Sequence, residues 1–304
     1  MIGVTLKHMR YFQALAAHGH FGRASEACNI SQPALSLQIK ELEALIGAPL
    51  VERSARQIKL TALGEDFLSR AKDIIVRVDE LEDLLRSSTG AISGRLRIGV
   101  IPTVAPYLLT DVIKALGSRL PGLELQPREA VTQSLVDNLL AARLDCAIVA
   151  LPVSEPALQE FALFDEDFLL VRPRADEAAP VPSQSKLKTM RLLLLEEGHC
   201  FRDQALSFCE LSGSDPQELM EGSSLSTLVQ MVGAGIGVTL IPEMALSLET
   251  RSADVSVARF EAPRPSRTIG MIWRKTNPLG DQLMQIGAII RKAAERKRDH
   301  HGMG

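Results

Sequence analysis

Cys200 and Cys209 stand nine residues apart in the run Glu196-Glu197-Gly198-His199-Cys200-Phe201-Arg202-Asp203-Gln204-Ala205-Leu206-Ser207-Phe208-Cys209. That spacing fits neither the close Cys-x-x-Cys pair nor an obvious zinc pattern. The chemistry it suits is a thiol switch. A thiolate attacks an oxidant such as peroxide, becomes a sulfenic acid, and a second thiol converts that to a disulfide. His199, Arg202, Gln204 and an approaching Arg267 could hold a thiolate or polarise the oxidant, while Glu196, Glu197 and Asp203 oppose them. Thr103 could orient the oxidant if the fold sets its hydroxyl beside the sulfur. Two inert core thiols are the alternative, although the polar, glycine-containing approach to Cys200 argues against it.

The segment that carries the pair decides how it works. Arg202 to Cys209 has helical character, with Ala205, Leu206 and Phe208 on its apolar side. In a continuous helix nine positions separate the cysteines by roughly 13 Å and about half a turn. A disulfide needs alpha carbons within about 7 Å. Crosslinking therefore requires the segment to unwind. The packing lost from Phe201, Leu206 or Phe208 is worth a few kcal/mol, about what a large two-state population shift needs.

The surrounding pattern is α/β. Arg95–Val100, Leu123–Leu125, Asp145–Val149, Leu192–Leu195 and Gly237–Ile241 read as strands, alternating with helices at Leu108–Leu116, Thr132–Leu140 and Ser224–Met231. Such alternation signals a mostly parallel sheet covered by helices. Phe168–Val171 and Thr268–Trp273 read as strands crossing between two lobes. Thr103, Thr132 and Ser224 fall at helix starts, where hydroxyls and free amides face a cleft. Any one of them could equally be a cap.

The first sixty residues suggest what is switched. Leu6, Met9, Phe12, Leu15 and Ala16 recur at helical spacing, and Phe21, Ala24, Ala27 and Cys28 suggest a second short helix. Ser31 is a good N-cap for a third, with Pro33 in its first turn and Leu35, Ile39, Leu42 and Ile46 facing inward. This is a helix-turn-helix pattern, with Ser31, Gln32, Pro33, Ser36, Gln38 and Lys40 on the helix that would enter DNA. Leu50–Leu60 reads as two short strands around a basic turn, a wing whose Arg53, Arg56 and Lys59 would meet phosphate. A plain helical domain is the alternative for any one feature; their order favours DNA binding.

Thr61 is expected to cap a helix carrying Phe67, Ala71, Ile74, Ile75, Val78, Leu81, Leu84 and Leu85. A thin rod with one apolar stripe should pair with a second copy, the alternative being packing on its own large domain. The resulting division is a DNA-binding domain over 1–60, a dimerisation helix over 61–88, a hinge over 89–94 and a regulatory domain over 95–304.

Composition narrows the class. The formal net charge is -3, against indiscriminate coating of nucleic acid but compatible with a local basic surface. Apolar residues make up 46% and charged residues 23%, ordinary for a soluble globular protein. No run is long and apolar enough for a membrane span, and the start lacks the apolar stretch of a signal peptide. The cytoplasm is the expected compartment, where a standing structural disulfide would be unusual. Cys28 and Cys146 are expected to be small buried hydrophobes. The tail from Arg291 to His301 reads as a basic helix whose histidines are solvated rather than metal-bound. No cofactor or metal is expected, and no enzymatic activity.

The chain resembles LysR-type transcriptional regulators over nearly its full length. The general pattern lies in Ala24-Ser25-Glu26-Ala27, Ser31-Gln32-Pro33-Ala34-Leu35-Ser36, Leu42-Glu43 and Gly47. A narrower likeness, to the hydrogen-peroxide sensors of that family, rests on several further motifs. They are Ile101-Pro102-Thr103-Val104, Pro106-Tyr107-Leu108-Leu109, Leu144-Asp145-Cys146, Gly198-His199-Cys200-x-Arg202-Asp203-Gln204-Ala205, Phe208-Cys209, Ser224-Leu225-x-Thr227-Leu228 and Arg267-Thr268-Ile269-Gly270.

The resemblance implies an α+β protein: a winged helix-turn-helix, a long linker helix and a two-lobed, periplasmic-binding-protein-like α/β domain. It implies that Cys200 is the peroxidatic cysteine and Cys209 the resolving one. His199, Thr103, Thr132, Asp203 and Arg267 would then form the peroxide pocket. It further implies promoter double-stranded DNA and RNA polymerase as partners, homodimers assembled into homotetramers, and resetting by glutaredoxin or thioredoxin. Activation of antioxidant genes is implied, with repression by some members in the reduced state. The rival within the same family is a metabolite sensor that binds a small organic acid between the lobes, its cysteines incidental.

Overall fold

The computed structural model describes residues 3–53, 58–87, 92–209 and 220–301. The chain divides into two compact units, Met1–Leu85 and Arg86–Gly304.

In the first unit, α1 (Leu6–His18), α2 (Phe21–Ala27) and α3 (Gln32–Ile46) precede a hairpin of β1 (Val51–Arg53) and β2 (Ile58–Leu60), then α4 (Ala62–Ser87). Thr5 caps α1 reciprocally with His8: the His8 amide donates to Thr5 Oγ1, and Nδ1 of His8 accepts from the Thr5 amide. His8 is buried, whereas Leu6, one of the apolar residues at helical spacing, is exposed at the helix start. Ser31 accepts from the Ala34 amide at the start of α3, and Gly47 ends that helix in the left-handed region at φ 80°. Phe12, Leu15, Ala24, Leu35, Ile39, Leu42 and Leu50 are fully buried together. Phe67 of α4 stands edge-on to Phe12 at 5.4 Å. Gly64 lies so close to Leu50 that a Cβ there would meet its carbonyl oxygen at 2.1 Å, so only glycine lets α4 start against the head. Thr61 caps α4 through the Gly64 amide. Its 26 residues extend about 39 Å. Along it Ala71 and Ile75 are buried, while Ile74 and Leu81 are exposed. Cys28 is half-buried at the end of α2 rather than fully enclosed.

The second unit runs β3 (Gly94–Val100), α5 (Ala105–Arg119), β4 (Leu123–Glu129), α6 (Thr132–Leu140), β5 (Cys146–Leu151) and β6 (Leu158–Pro173). It continues through α7 (Gln184–Leu187), β7 (Leu192–Leu195), α8 (Cys200–Phe208), β8 (Met220–Gly222), α9 (Leu225–Gly233) and β9 (Val238–Pro242). It ends with α10 (Leu246–Glu249), β10 (Val255–Arg259), β11 (Ser266–Arg274) and α11 (Gly280–His301). Strand order is β4-β3-β5-β11-β6-β9-β7-β8, with β10 also on β6. Strand β3 runs parallel to β4 and β5, and β7 runs parallel to β8 and β9.

Two separate cores fill the lobes. One gathers Ile98, Leu108, Leu135, Ile148, Met271 and Ile286; the other gathers Phe168, Leu170, Leu193, Phe201, Leu228 and Ile241. Strand β6 joins them: its first part pairs with β11 and its last part with β9 and β10. Phe168–Val171 thus belongs to the second-lobe half of one long crossing strand. Thr268–Trp273, expected to cross, does not: among the described residues β11 pairs with β5 and with the first-lobe part of β6. The chain returns through residues 260–265, a stretch with two prolines that is poor strand material. Among the described residues no helix is long and apolar enough to cross a membrane.

The alternative of a plain helical head does not hold, because the hairpin after α3 completes a winged helix-turn-helix. The expected wing residue Arg56 and the side chain of Arg53 lie outside the described residues, as do residues 89–91 of the expected hinge and the side chains of His300 and His301.

Candidate functional site

The four leucines of β7 are buried, and the chain leaves that strand through Gly198 at φ 92°. A Cβ there would find its nearest neighbour at 3.9 Å, so the left-handed backbone rather than lack of room calls for glycine. His199 caps α8 with an extended backbone, and Cys200 is its first residue. Burial lowers the imidazole pKa of His199, opposed by the charges of Glu196 and Glu129.

Helix α8 is fastened on its inner face. Phe201 meets Phe168 edge-on at 4.9 Å, and Phe208 meets Phe260 at 5.2 Å. Ala205, Leu206 and Cys209 are buried in the same core. Arg202 does not turn to the sulfur: its Nη1 donates to the Leu195 carbonyl at 3.0 Å and pairs with Glu221 at 2.6 Å, tying α8 to β7 and β8. Cys200 and Cys209 are both free thiols. With α8 continuous between them, the axial separation is about 13 Å. Burial pushes the Cys209 thiol up to about 11.

The facing wall comes from the first lobe. Thr103 sits in the turn between β3 and α5, and its Oγ1 accepts from Arg267 Nη1 at 2.8 Å. Arg267 Nη2 donates to the Thr103 carbonyl at 3.1 Å. The guanidinium is completely buried and paired with Glu166 at 2.6 Å. Its carbon lies 5.2 Å from the centre of the Phe201 ring. Thr132 begins α6 without capping it, and its buried Oγ1 has no hydrogen-bond partner. Ser224 is an ordinary cap, accepting from the Thr227 amide at 3.2 Å.

These walls meet in a narrow crevice, about 160 Å³ with the solvent at its mouth included, lined by Ile101, Pro102, Thr103, Val131, Thr132, His199, Cys200 and Phe201. Arg267 stands behind Thr103 and not in that lining. Asp203 is exposed one turn along α8, and Gln204 keeps a buried Oε1 without a partner, away from the crevice.

Residues 6–65 match the lysR family of bacterial regulatory helix-turn-helix proteins, and residues 89–294 match the LysR substrate binding domain. The chain belongs to the LysR family of DNA-binding transcriptional regulators. Among LysR relatives, the DNA-binding transcriptional dual regulator OxyR of Escherichia coli K12 is 39% identical over 293 residues, covering 95% of both chains. Full-length OxyR from Pseudomonas aeruginosa, as a cysteine-to-aspartate variant, superposes with a TM-score of 0.72 at 34% identity, covering 95% of each chain. A cysteine-to-serine OxyR mutant from Corynebacterium glutamicum, bound to hydrogen peroxide, superposes at 0.66 with 32% identity over 96% of this chain and 93% of its own.

In the LysR head, Gln32, Pro33, Lys40 and Lys59 are exposed and Ser36 is half-buried. Gln38 is partly occupied, donating to Glu41 at 2.5 Å.

Two arrangements in the LysR regulatory domain escape a reading of the motifs. Glu166 was legible in principle, because it alternates with buried Phe164 and Phe168 on one face of β6. Tyr107 reaches from α5 into the second-lobe core, where its hydroxyl donates to Glu249 at 2.5 Å, and Glu249 also accepts from Ser226. No short-range pattern relates positions so far apart.

Proposed function

We propose that this chain is a hydrogen-peroxide-sensing transcriptional regulator in which Cys200 is oxidised and Cys209 closes the disulfide. The observation that carries this reading is the crevice itself. Cys200 lines it together with Thr103 and with Thr132, whose buried hydroxyl has no partner, and these supply the groups that the first step needs. Peroxide is a small neutral molecule that hydroxyl partners can hold. No Lys or Arg is among the lining residues to neutralise an organic acid, and His199 is held toward its neutral form.

In the reaction the Cys200 thiolate attacks one peroxide oxygen, the O–O bond breaks, and sulfur gives up two electrons to become a sulfenic acid. The departing hydroxide takes a proton and leaves as water. Cys209, as thiolate, then displaces the sulfenic hydroxyl, which leaves as a second water. His199, Thr103, Thr132 and Arg267 organise the first step. Asp203, exposed in the helical form, joins only if α8 rearranges. Because a helix holds the sulfurs apart, the second step unwinds α8 and the crosslink retains the unwound form.

Residues 1–60 read the promoter, with Ser31, Gln32, Pro33, Ser36, Gln38 and Lys40 on the recognition helix and Arg53, Arg56 and Lys59 on the wing. Residues 61–88 pair two copies through the stripe that includes exposed Ile74 and Leu81, residues 89–94 form the hinge, and residues 95–304 sense the oxidant. Two such dimers form the tetramer whose head spacing changes on oxidation, altering access for RNA polymerase. Glutaredoxin or thioredoxin restores the thiols.

The test is thiol-specific mass spectrometry before and after one equivalent of peroxide. An intramolecular Cys200–Cys209 bond within seconds is expected, and Cys209→Ser should accumulate a trappable sulfenic acid at Cys200. Unchanged thiols, with DNA binding altered instead by a small acid, would establish the metabolite sensor.

A further inference from the structure

Glu166 and Arg267 face each other directly across the antiparallel β6–β11 ladder. Both side chains are almost completely buried. The Glu166 carboxylate takes Arg267 Nε at 2.8 Å and Nη2 at 2.6 Å on one oxygen, and its other oxygen accepts from the Met244 amide at 3.3 Å. The remaining guanidinium nitrogen, Nη1, is thereby aimed at Thr103 Oγ1. Burial pushes the Glu166 carboxyl up, and the Arg267 charge draws it back.

We propose that Glu166 is a positioning residue for oxidation of Cys200, holding Arg267 so that the guanidinium fixes the Thr103 hydroxyl as a donor into the crevice. The proposal rests on the peroxide-sensing reading and adds a residue to it. A hydroxyl that accepts from Arg267 keeps its own proton to donate. In the crevice that proton meets the peroxide oxygen that departs, which gains the electron pair of the broken O–O bond while sulfur gains the other oxygen. The hydrogen bond stabilises that developing charge, and the departing hydroxide takes its proton from solvent to become water. Polarisation of Thr103 by a fixed guanidinium strengthens the donation. Without Glu166 the buried cation has no carboxylate and reorients toward carbonyls or water. The Phe201 ring, stacked on the same guanidinium, joins this network to the residue beside Cys200.

The experiment measures two rates at Cys200 in the full-length reduced protein: oxidation by hydrogen peroxide and alkylation by iodoacetamide, which has no oxygen leaving group for Thr103 to serve. E166Q should slow oxidation by about 10- to 100-fold and alkylation by less than about threefold. E166Q combined with T103V should be no slower than T103V alone, because both act through one hydroxyl. The double variant E166Q/R267Q leaves no unpaired buried charge, so it tests the same point if E166Q does not fold; it too should oxidise slowly. Parent-like oxidation in either variant, equal slowing of both reactions, or additive effects with T103V would overturn the role of Glu166 alone. A parent protein whose Cys200 ignores peroxide would overturn the sensing reading and this proposal together.

Discussion

The two walls of the crevice are built from different interactions. The Thr103 wall is a closed polar network in which a buried ion pair, a hydroxyl and backbone groups satisfy one another. Its geometry is over-determined, as the proposed donor role of Thr103 requires. The Cys200 wall is a nine-residue helix held by two edge-on aromatic contacts, one partly exposed salt bridge and a small apolar face. Those contacts are worth a few kcal/mol together, enough to keep the helix formed and little enough for a covalent bond to undo. In the proposed reaction one wall positions and the other moves.

Substitutions on the two walls should therefore separate rate from rearrangement. The largest effect belongs to Cys200→Ser, which should abolish both peroxide consumption and disulfide formation by mass spectrometry. Thr103→Val should come next, with oxidation of Cys200 slowed by about 10- to 100-fold in stopped-flow measurements and little change in closure of a preformed sulfenic acid. Phe208→Ala should behave in the opposite way. It should lower the unfolding free energy by about 2 kcal/mol in urea and speed disulfide closure while sparing the oxidation step. If Phe208→Ala instead slows oxidation as much as Thr103→Val, the division between walls is wrong.

Two smaller effects sharpen the picture away from the crevice. Tyr107→Phe removes a hydrogen bond to a buried carboxylate that links α5 to α10, and should cost about 1.5 kcal/mol of thermal or urea stability. Cys209 gives a pH signature. Its thiol titrates near 11 when folded and near 9.0 when unfolded, so its contribution is complete below pH 9 and declines as pH rises toward 11. At pH 10 the parent should have lost about 1 kcal/mol more than Cys209→Ala, relative to pH 8. Equal losses in both proteins would mean that the thiol is not buried in the helical form.

Much of this was legible along the chain because it depends on local periodicity. Thr132–Leu140 and Leu192–Leu195 occupy the residues that their patterns predict. The third helix of the head follows its cap and its terminal glycine. Where prediction failed, tertiary contacts overrode local pattern. Arg202 is diverted from the sulfur by Glu221, and β11 stays in the first lobe because β5 flanks it. Thr103, Thr132 and Ser224 looked alike, yet one is held by an arginine, one is unpartnered and one is a cap.

The sequence by itself determined the order of parts, the helical separation of the two cysteines and the family, since each follows from residue type at short, regular spacing. Only the tertiary structure decided which residues line one crevice with Cys200 and what balances Arg267. Glu166 lies 101 residues from Arg267 and meets it through strand register, while Thr103 lies 164 residues away and meets it through the packing of a turn. Periodicity assigns a side chain to a face. The neighbour it finds there is set by how the faces pack.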